Sequence, residues 1–179
     1  MYGRVAYTHK THEKMADRYI QRYRQIKAIE IALSALTTGS LLIAVFGDSA
    51  AGAIVGATLS TIVLGLNLYF KEASLGEQAQ KHTVVASKLW GVREALLSLL
   101  ADMHDGRSAS EIRAARDELN AKLEDIYKNA PRTNSKSYGD AQHALKNAEE
   151  LFFSDEELDK LLPKQLRKVR EQRPAGESR

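Results

Sequence analysis

The sequence predicts an all-α protein, a two-transmembrane helical hairpin joined to a cytoplasmic helical bundle. Three observations carry this fold class. Between Glu30 and Lys71 the only charged residue is Asp48, which leaves uncharged runs of 17 residues at 31–47 and 22 residues at 49–70. Outside these runs, apolar residues recur at spacings of three and four, the period of a packed helix. No stretch of useful length alternates apolar and polar residues as a half-buried strand would. The mean hydropathy of −0.36 hides the two runs, because the rest of the chain is rich in charge.

Residues 1–28 form a basic N-terminal segment expected to lie in the cytoplasm. The stretch "THKTHEKMADRYIQRYRQIKA" at 8–28 contains no Gly or Pro and is expected to run as a helix straight into the first span. Tyr19 and Tyr23 approach the membrane, and Tyr69 and Phe70 mirror them at the end of the second span. Tyrosine suits that interface because its ring is apolar and its hydroxyl is wet.

The hairpin occupies 29–71, with its turn at about 47–50. A helix of 22 residues is about 33 Å long, enough to cross a hydrocarbon core of about 30 Å. The first run is shorter and reaches that length if Lys27 and Glu30 snorkel outward. A buried hairpin inside a soluble bundle is the competing reading, but soluble core helices rarely run so far without a charge. A cleaved leader does not fit either, because the charged segment ahead of the apolar run is about 28 residues long. Arg4, Lys10, Lys14, Arg18, Arg22, Arg24 and Lys27 precede the first span, and Lys71, Lys81, Lys88 and Arg93 follow the second. The turn carries no Lys or Arg, so the positive-inside bias places both termini in the cytoplasm and the turn outside.

Residues 72–172 are expected to form the bundle. Val85, Leu89, Val92, Leu96, Leu99 and Met103 repeat at four and three, a candidate bundle or oligomer face. Gly106 ends that helix, and Ser108 to Glu111 is a capping-box pattern for the next, which stops at Asn129-Ala130-Pro131. A further helix is expected over about 137–152, with Leu145, Ala148 and Phe152 on one side. Ser154 to Glu157 is another capping box, and Pro163 either kinks the helix that follows or opens a last, basic one. Ser74 to Glu77 has the same pattern, which leaves open whether the second span is continuous with the next helix. Residues 173–179 read as a flexible tail.

The stretch "GDSAAGAIVG" at 47–56 resembles two catalytic signatures and satisfies neither. A nucleophile elbow needs Gly-x-Ser-x-Gly between a strand and a helix, whereas position 51 is Ala and a helical run precedes Ser49. A phosphate loop needs Lys-Ser or Lys-Thr where this chain has Ala53 and Ile54. The absence of cysteine excludes thiolate nucleophiles, thiolate metal sites and disulfides. His9, His12 and Glu13 cluster near the start, while His82, His104 and His143 stand apart, so all five histidines read as surface residues on solvated helices. No catalytic residue, metal site or cofactor is expected. A net charge of +3 is too small to argue for nucleic acid.

The spans carry polar and small residues on defined faces. Ser49, Gly52, Gly56, Ser60 and Asn67 fall within about 40° of one line. Gly52, Gly56 and Ser60 form a small-residue ladder that lets helix backbones approach closely. On the first span, Glu30, Ser34, Thr38, Leu41, Val45 and Asp48 form a comparable stripe with Thr37 at its edge. These residues are candidates for pore lining or helix packing. They serve either the hairpin itself or self-association around a central path, since two spans alone cannot enclose a pore.

The basic segment "EKMADRYIQRYRQIK", the span "AIEIALSALTTGSLLIAVFGD", the later helix "EASLGEQAQKHTVVASKLWGVREALLSLL" and the short "IYKNAPRTNSKSY" together resemble the SLATT family, the two-transmembrane effector domains associated with SMODS nucleotidyltransferases and SLOG nucleotide sensors. The resemblance covers about residues 8–170 and rests on layout and "IYKNAP" rather than on a catalytic motif. It implies a bacterial inner-membrane effector of a nucleotide-signalled antiviral defence system. Such an effector oligomerises and perforates or disrupts the membrane. It would receive its trigger in trans from a nucleotide-sensing or nucleotidyltransferase partner, because only a short tail follows residue 170. The alternative is a membrane anchor or scaffold that recruits a cytoplasmic partner and conducts nothing.

Overall fold

The structure is a computed structural model that describes residues 1–47 and 49–163. Asp48, the basic stretch expected beyond Pro163 and the tail at 173–179 lie outside the described residues. Among the described residues six helices follow one another: α1 (Tyr2–Phe46), α2 (Ala50–Ala73), α3 (Leu75–His104), α4 (Ala109–Asn129), α5 (Ser135–Lys146) and α6 (Asp155–Leu161). No strand occurs among the described residues.

The chain divides into two compact units, residues 1–141 and the part from Gln142 onward. In the first unit α1 is the spine. Its 45 residues make one unbroken helix about 67 Å long, from the basic segment through the first apolar run. Nothing in 2–46 interrupts it: there is no proline, and its threonine hydroxyls donate to carbonyls one turn back on their own helix. The apolar half of α1 packs on α2, the N-terminal half packs on α3, and α3 packs on α4.

A single residue makes this arrangement possible. Ser74 has φ 45° and ψ 40°, in the left-handed region, and separates α2 from α3. The Ser74 to Glu77 pattern, which leaves this break open in the sequence, does not act as a capping box: the Ser74 side chain makes no cap bond to α3. Its Oγ instead donates to the Lys71 carbonyl at 3.3 Å, while its own carbonyl accepts from Gln78 N–H at 3.0 Å. The second span and the next helix are therefore two helices joined at one bent residue.

The core of the first unit is built by the predicted repeat. Val85, Leu89, Val92 and Leu96 of α3 bury against Val5 of α1 and Leu123 and Ile126 of α4, with Leu119 and Ala130 at the edge. Leu99 is also buried, whereas Met103, on the same face, is 54% exposed. This face is thus engaged within the chain along most of its length. Gly106, at φ 86°, follows the end of α3, and the Ser108 Oγ accepts from Glu111 N–H to start α4. Ala130 takes an extended ψ of 137°, as a residue before proline must, and α4 stops there. Asn134 accepts from Ser137 N–H at 2.8 Å and opens α5.

The second unit departs from expectation. The helix expected over 137–152 ends at Lys146. Glu149 and Leu151 adopt φ values of 50° and 79°, and the Ala148 and Glu150 N–H groups turn back to the carbonyls of His143 and Ala144. Ala148 and Phe152 therefore lie beyond the helix. The capping box at Ser154 forms fully, with both reciprocal bonds to Glu157. Leu162 is extended, at ψ 147°, ahead of Pro163, so α6 stops rather than kinks.

Candidate functional site

The hairpin is the first candidate. Ser49 accepts from Gly52 N–H at 3.2 Å and so caps α2, between two helices rather than between a strand and a helix. The small-residue ladder then divides. Gly52 and Gly56 are buried, and both pack on α1. A Cβ on Gly52 would meet the backbone of α1, at 3.0 Å from both Ala44 N and Ser40 O. A Cβ on Gly56 would come within 2.9 Å of Leu41 Cδ2. Ser60 and Asn67, on the same line, remain exposed. Close backbone approach within the hairpin therefore uses the two glycines.

The stripe on α1 behaves differently. Ser34 and Thr38 are exposed, and Thr37 is half-buried. Thr37 donates to Leu33 O and Thr38 to Ser34 O, at 2.8 and 3.0 Å. Thr58 and Thr61 on α2 do the same to Ile54 O and Ala57 O. A hydroxyl bonded to the carbonyl one turn back is satisfied by its own helix and tolerates an apolar surrounding.

Glu30 and Asn67 come together at the base of the hairpin. They line a groove of about 450 Å³ with Tyr23, Lys27, Lys71 and Ser74 among its walls. Lys27 bonds Glu30 at 2.8 Å, which raises the lysine pKa above its ordinary value. Tyr23 faces this groove, and Tyr69 meets Phe70 edge to face at 5.2 Å between ring centres. Tyr19 does not belong with them: its ring stacks on His82 at 5.7 Å.

The histidines correct the sequence reading. His9, His12 and His82 are buried rather than solvated. His12 Nδ1 and His82 Nδ1 are 2.9 Å apart, so residues 70 positions apart in sequence share one hydrogen. His9 Nε2 lies 3.4 Å from Glu13, and His9 Nδ1 is buried with no hydrogen bond. Burial, then the neighbouring His82 and His9, pushes His12 down to about 4. Burial also lowers His82. His9 is lowered by burial first, with Arg93 and Lys10 adding to the effect and Glu13 and Glu94 opposing it. No group of three metal-binding side chains occurs among the described residues. The signal for burial was present in the spacing. His82 continues the Val85, Leu89, Val92 face one turn earlier, and His9 and His12 follow Val5 at four and three.

The apolar surfaces of the spans face outward. None of the most apolar 18-residue stretch of α1 is buried, and 6% of the corresponding stretch of α2 is. That disfavours the buried-hairpin alternative, in which these surfaces would form the core. Residues 1–157 match the model of SMODS and SLOG-associating 2TM effector domain family 4.

The chain belongs to this family.

A comparison with curated proteins and one with solved structures return no match. Membership in family 4 and the two exposed apolar helices together make this a two-transmembrane membrane effector domain. The family match covers α1 to the first residues of α6, so the histidine cluster and the hairpin both lie inside the family 4 domain.

Proposed function

We propose that this chain is a bacterial inner-membrane effector. In this reading it assembles as a homo-oligomer and forms a pore or otherwise disrupts the membrane in a nucleotide-signalled antiviral defence system. Both termini lie in the cytoplasm, where residues 72–172 and the segment 1–28 receive the signal in trans from a nucleotide-sensing or nucleotidyltransferase partner. The observation that carries the reading is the pair of long apolar helices whose outer surfaces are left uncovered among the described residues, in a member of a two-transmembrane effector family. Lipid and other copies of the chain are the partners such surfaces suit.

Oligomer contacts fall on the spans' free faces. Gly52 and Gly56 are already engaged in the hairpin, while Ser60, Gly39 and Gly65 remain open to a neighbouring copy. Purified protein in liposomes, activated by the nucleotide signal of its system, should release an entrapped dye and migrate as a multimer in detergent. Tight liposomes from multimeric, activated protein would count against a pore.

One observation favours the second reading, a membrane anchor that recruits a cytoplasmic partner and conducts nothing. The threonine hydroxyls of the spans are satisfied by their own helices and need no water-filled path. Expression in bacteria separates the two, because a pore depolarises cells and an anchor leaves the membrane potential intact.

A further inference from the structure

The contact between α1 and α3 holds a polar cluster that a membrane-spanning role does not require. We propose that His9, His12 and His82 form a proton-operated latch, which holds the N-terminal half of α1 against α3 when the imidazoles are neutral and releases it on acidification.

The geometry sets the rule. With Nδ1 atoms 2.9 Å apart, one ring of the His12–His82 pair donates and the other accepts. Protonating both would place two N–H groups head to head and two positive charges 5.0 Å apart between ring centres, inside the packed interface. The pair has little access to water, because Tyr19 stacks on His82 at 5.7 Å and both imidazoles are buried, at 2% and 1% exposure.

The surrounding charges do not rescue an imidazolium there. On α1, Lys10 and Glu13 bond each other at 2.8 Å, and Glu13 also reaches His9. On α3, Arg93 and Glu94 bond each other at 2.7 Å, and Arg93 Nη1 is buried with no hydrogen bond. The α4 residues packed into this unit's core are Leu123 and Ile126, which carry no charge. The start of α5 contributes Ser137, bonded to Met15, and Asp140, paired with Arg18. Glu13 and Glu94 favour charge on His9 alone.

The sign follows. All three imidazoles bind protons more weakly in the latched form than when free, where their ordinary value is 6.5. Latching is therefore fully favoured above about pH 6.5 and weakens as pH falls toward about 4, the latched value for His12. His12 alone changes the latched-to-open ratio by up to about tenfold per pH unit in that window, and His9 and His82 add to it in the same direction. Because α1 is one rod from Tyr2 to Phe46, freeing His9 and His12 also frees the cytoplasmic end of the first span.

The test uses the full chain in nanodiscs. The protein has no cysteine, so Arg4→Cys and Lys88→Cys, both exposed, give a clean spin-label pair across α1 and α3. Lowering the pH from about 7.5 to about 4.5 should convert a short distance into a longer one reversibly, with uptake of two to three protons. His82→Phe keeps a ring in place, removes one titrating group and should make the transition shallower. Ring-nitrogen NMR shifts of the wild-type chain give an independent reading, in which His12 stays neutral while the distance is short. Three results would each overturn the latch: a distance unchanged to about pH 4.5, a transition equally steep in His82→Phe, or a protonated His12 in the short-distance state.

Discussion

At Gly52 and Gly56 a single methyl group tests the hairpin. Gly52→Ala drives a Cβ into the α1 backbone at 3.0 Å, where no side chain can move aside. We expect a loss of about 1–3 kcal/mol, the ordinary cost of overpacking, read as a lower unfolding midpoint in detergent. Gly39→Ala and Gly65→Ala meet nothing within 4 Å and should be neutral or gain up to about 1 kcal/mol from helix propensity. Equal effects at all three sites would mean that the glycines act through propensity and not through contact. The ladder was legible in the sequence as a face, because helical spacing fixes direction. Its partner was not, because spacing is the same whether the neighbour is the other span or another copy. The histidines show the converse. Their polarity argued for solvent, yet His82 sits one turn before Val85 on the face that becomes the core. Extending the period one turn back from Val85 reaches His82, which the surface reading of the histidines passed over.

Among the elements, α3 decides how the chain packs, and Ser74 decides where α3 goes. A left-handed serine costs about 1–2 kcal/mol relative to the helical region, and this cost is offset by the α1–α3 contact it permits. Ser74→Gly should keep the bend, while Ser74→Val, stiff and intolerant of positive φ, should favour one straight helix through α2 and α3. The same spin-label pair on α1 and α3, held at neutral pH, reads the outcome: unchanged for Gly, lengthened for Val. A short distance in Ser74→Val would remove the bend from the argument. The contact is held by Leu89, which is fully buried. Leu89→Ala should cost about 2–5 kcal/mol, while Leu97→Ala, half exposed on the same helix, should cost well under 1 kcal/mol, both by thermal unfolding. Most element boundaries were legible because each carries a chemical stop: Gly106 after α3, Pro131 after α4, Ser154 before α6. The end of α5 carries only a weak one, the basic His143 and Lys146 followed by Asn147. Glu149 and Leu151 turn left-handed without glycine or asparagine, and no local preference announces it.

For the whole molecule the open quantity is its direction across the membrane. Eleven Lys and Arg residues flank the two spans within positions 4–27 and 71–93, and none lies in the turn, which argues for both ends inside. A cysteine-free chain makes this testable without background labelling. Ala50→Cys places one thiol at the first residue of α2, beside the turn, and Asp105→Cys places one just after α3, both on exposed residues. In intact spheroplasts a membrane-impermeant maleimide should label Ala50→Cys alone. Asp105→Cys should react only after permeabilisation. The opposite pattern would invert the hairpin and put the charge bias aside. Protection of both in intact cells would return the apolar runs to a soluble or peripheral protein. That last result would have to explain why the most apolar stretch of α1 has no buried residue. A helix of that composition left bare in water would expose an apolar surface of the kind that aggregates, so the bilayer is the surrounding that lets this structure stand as it is.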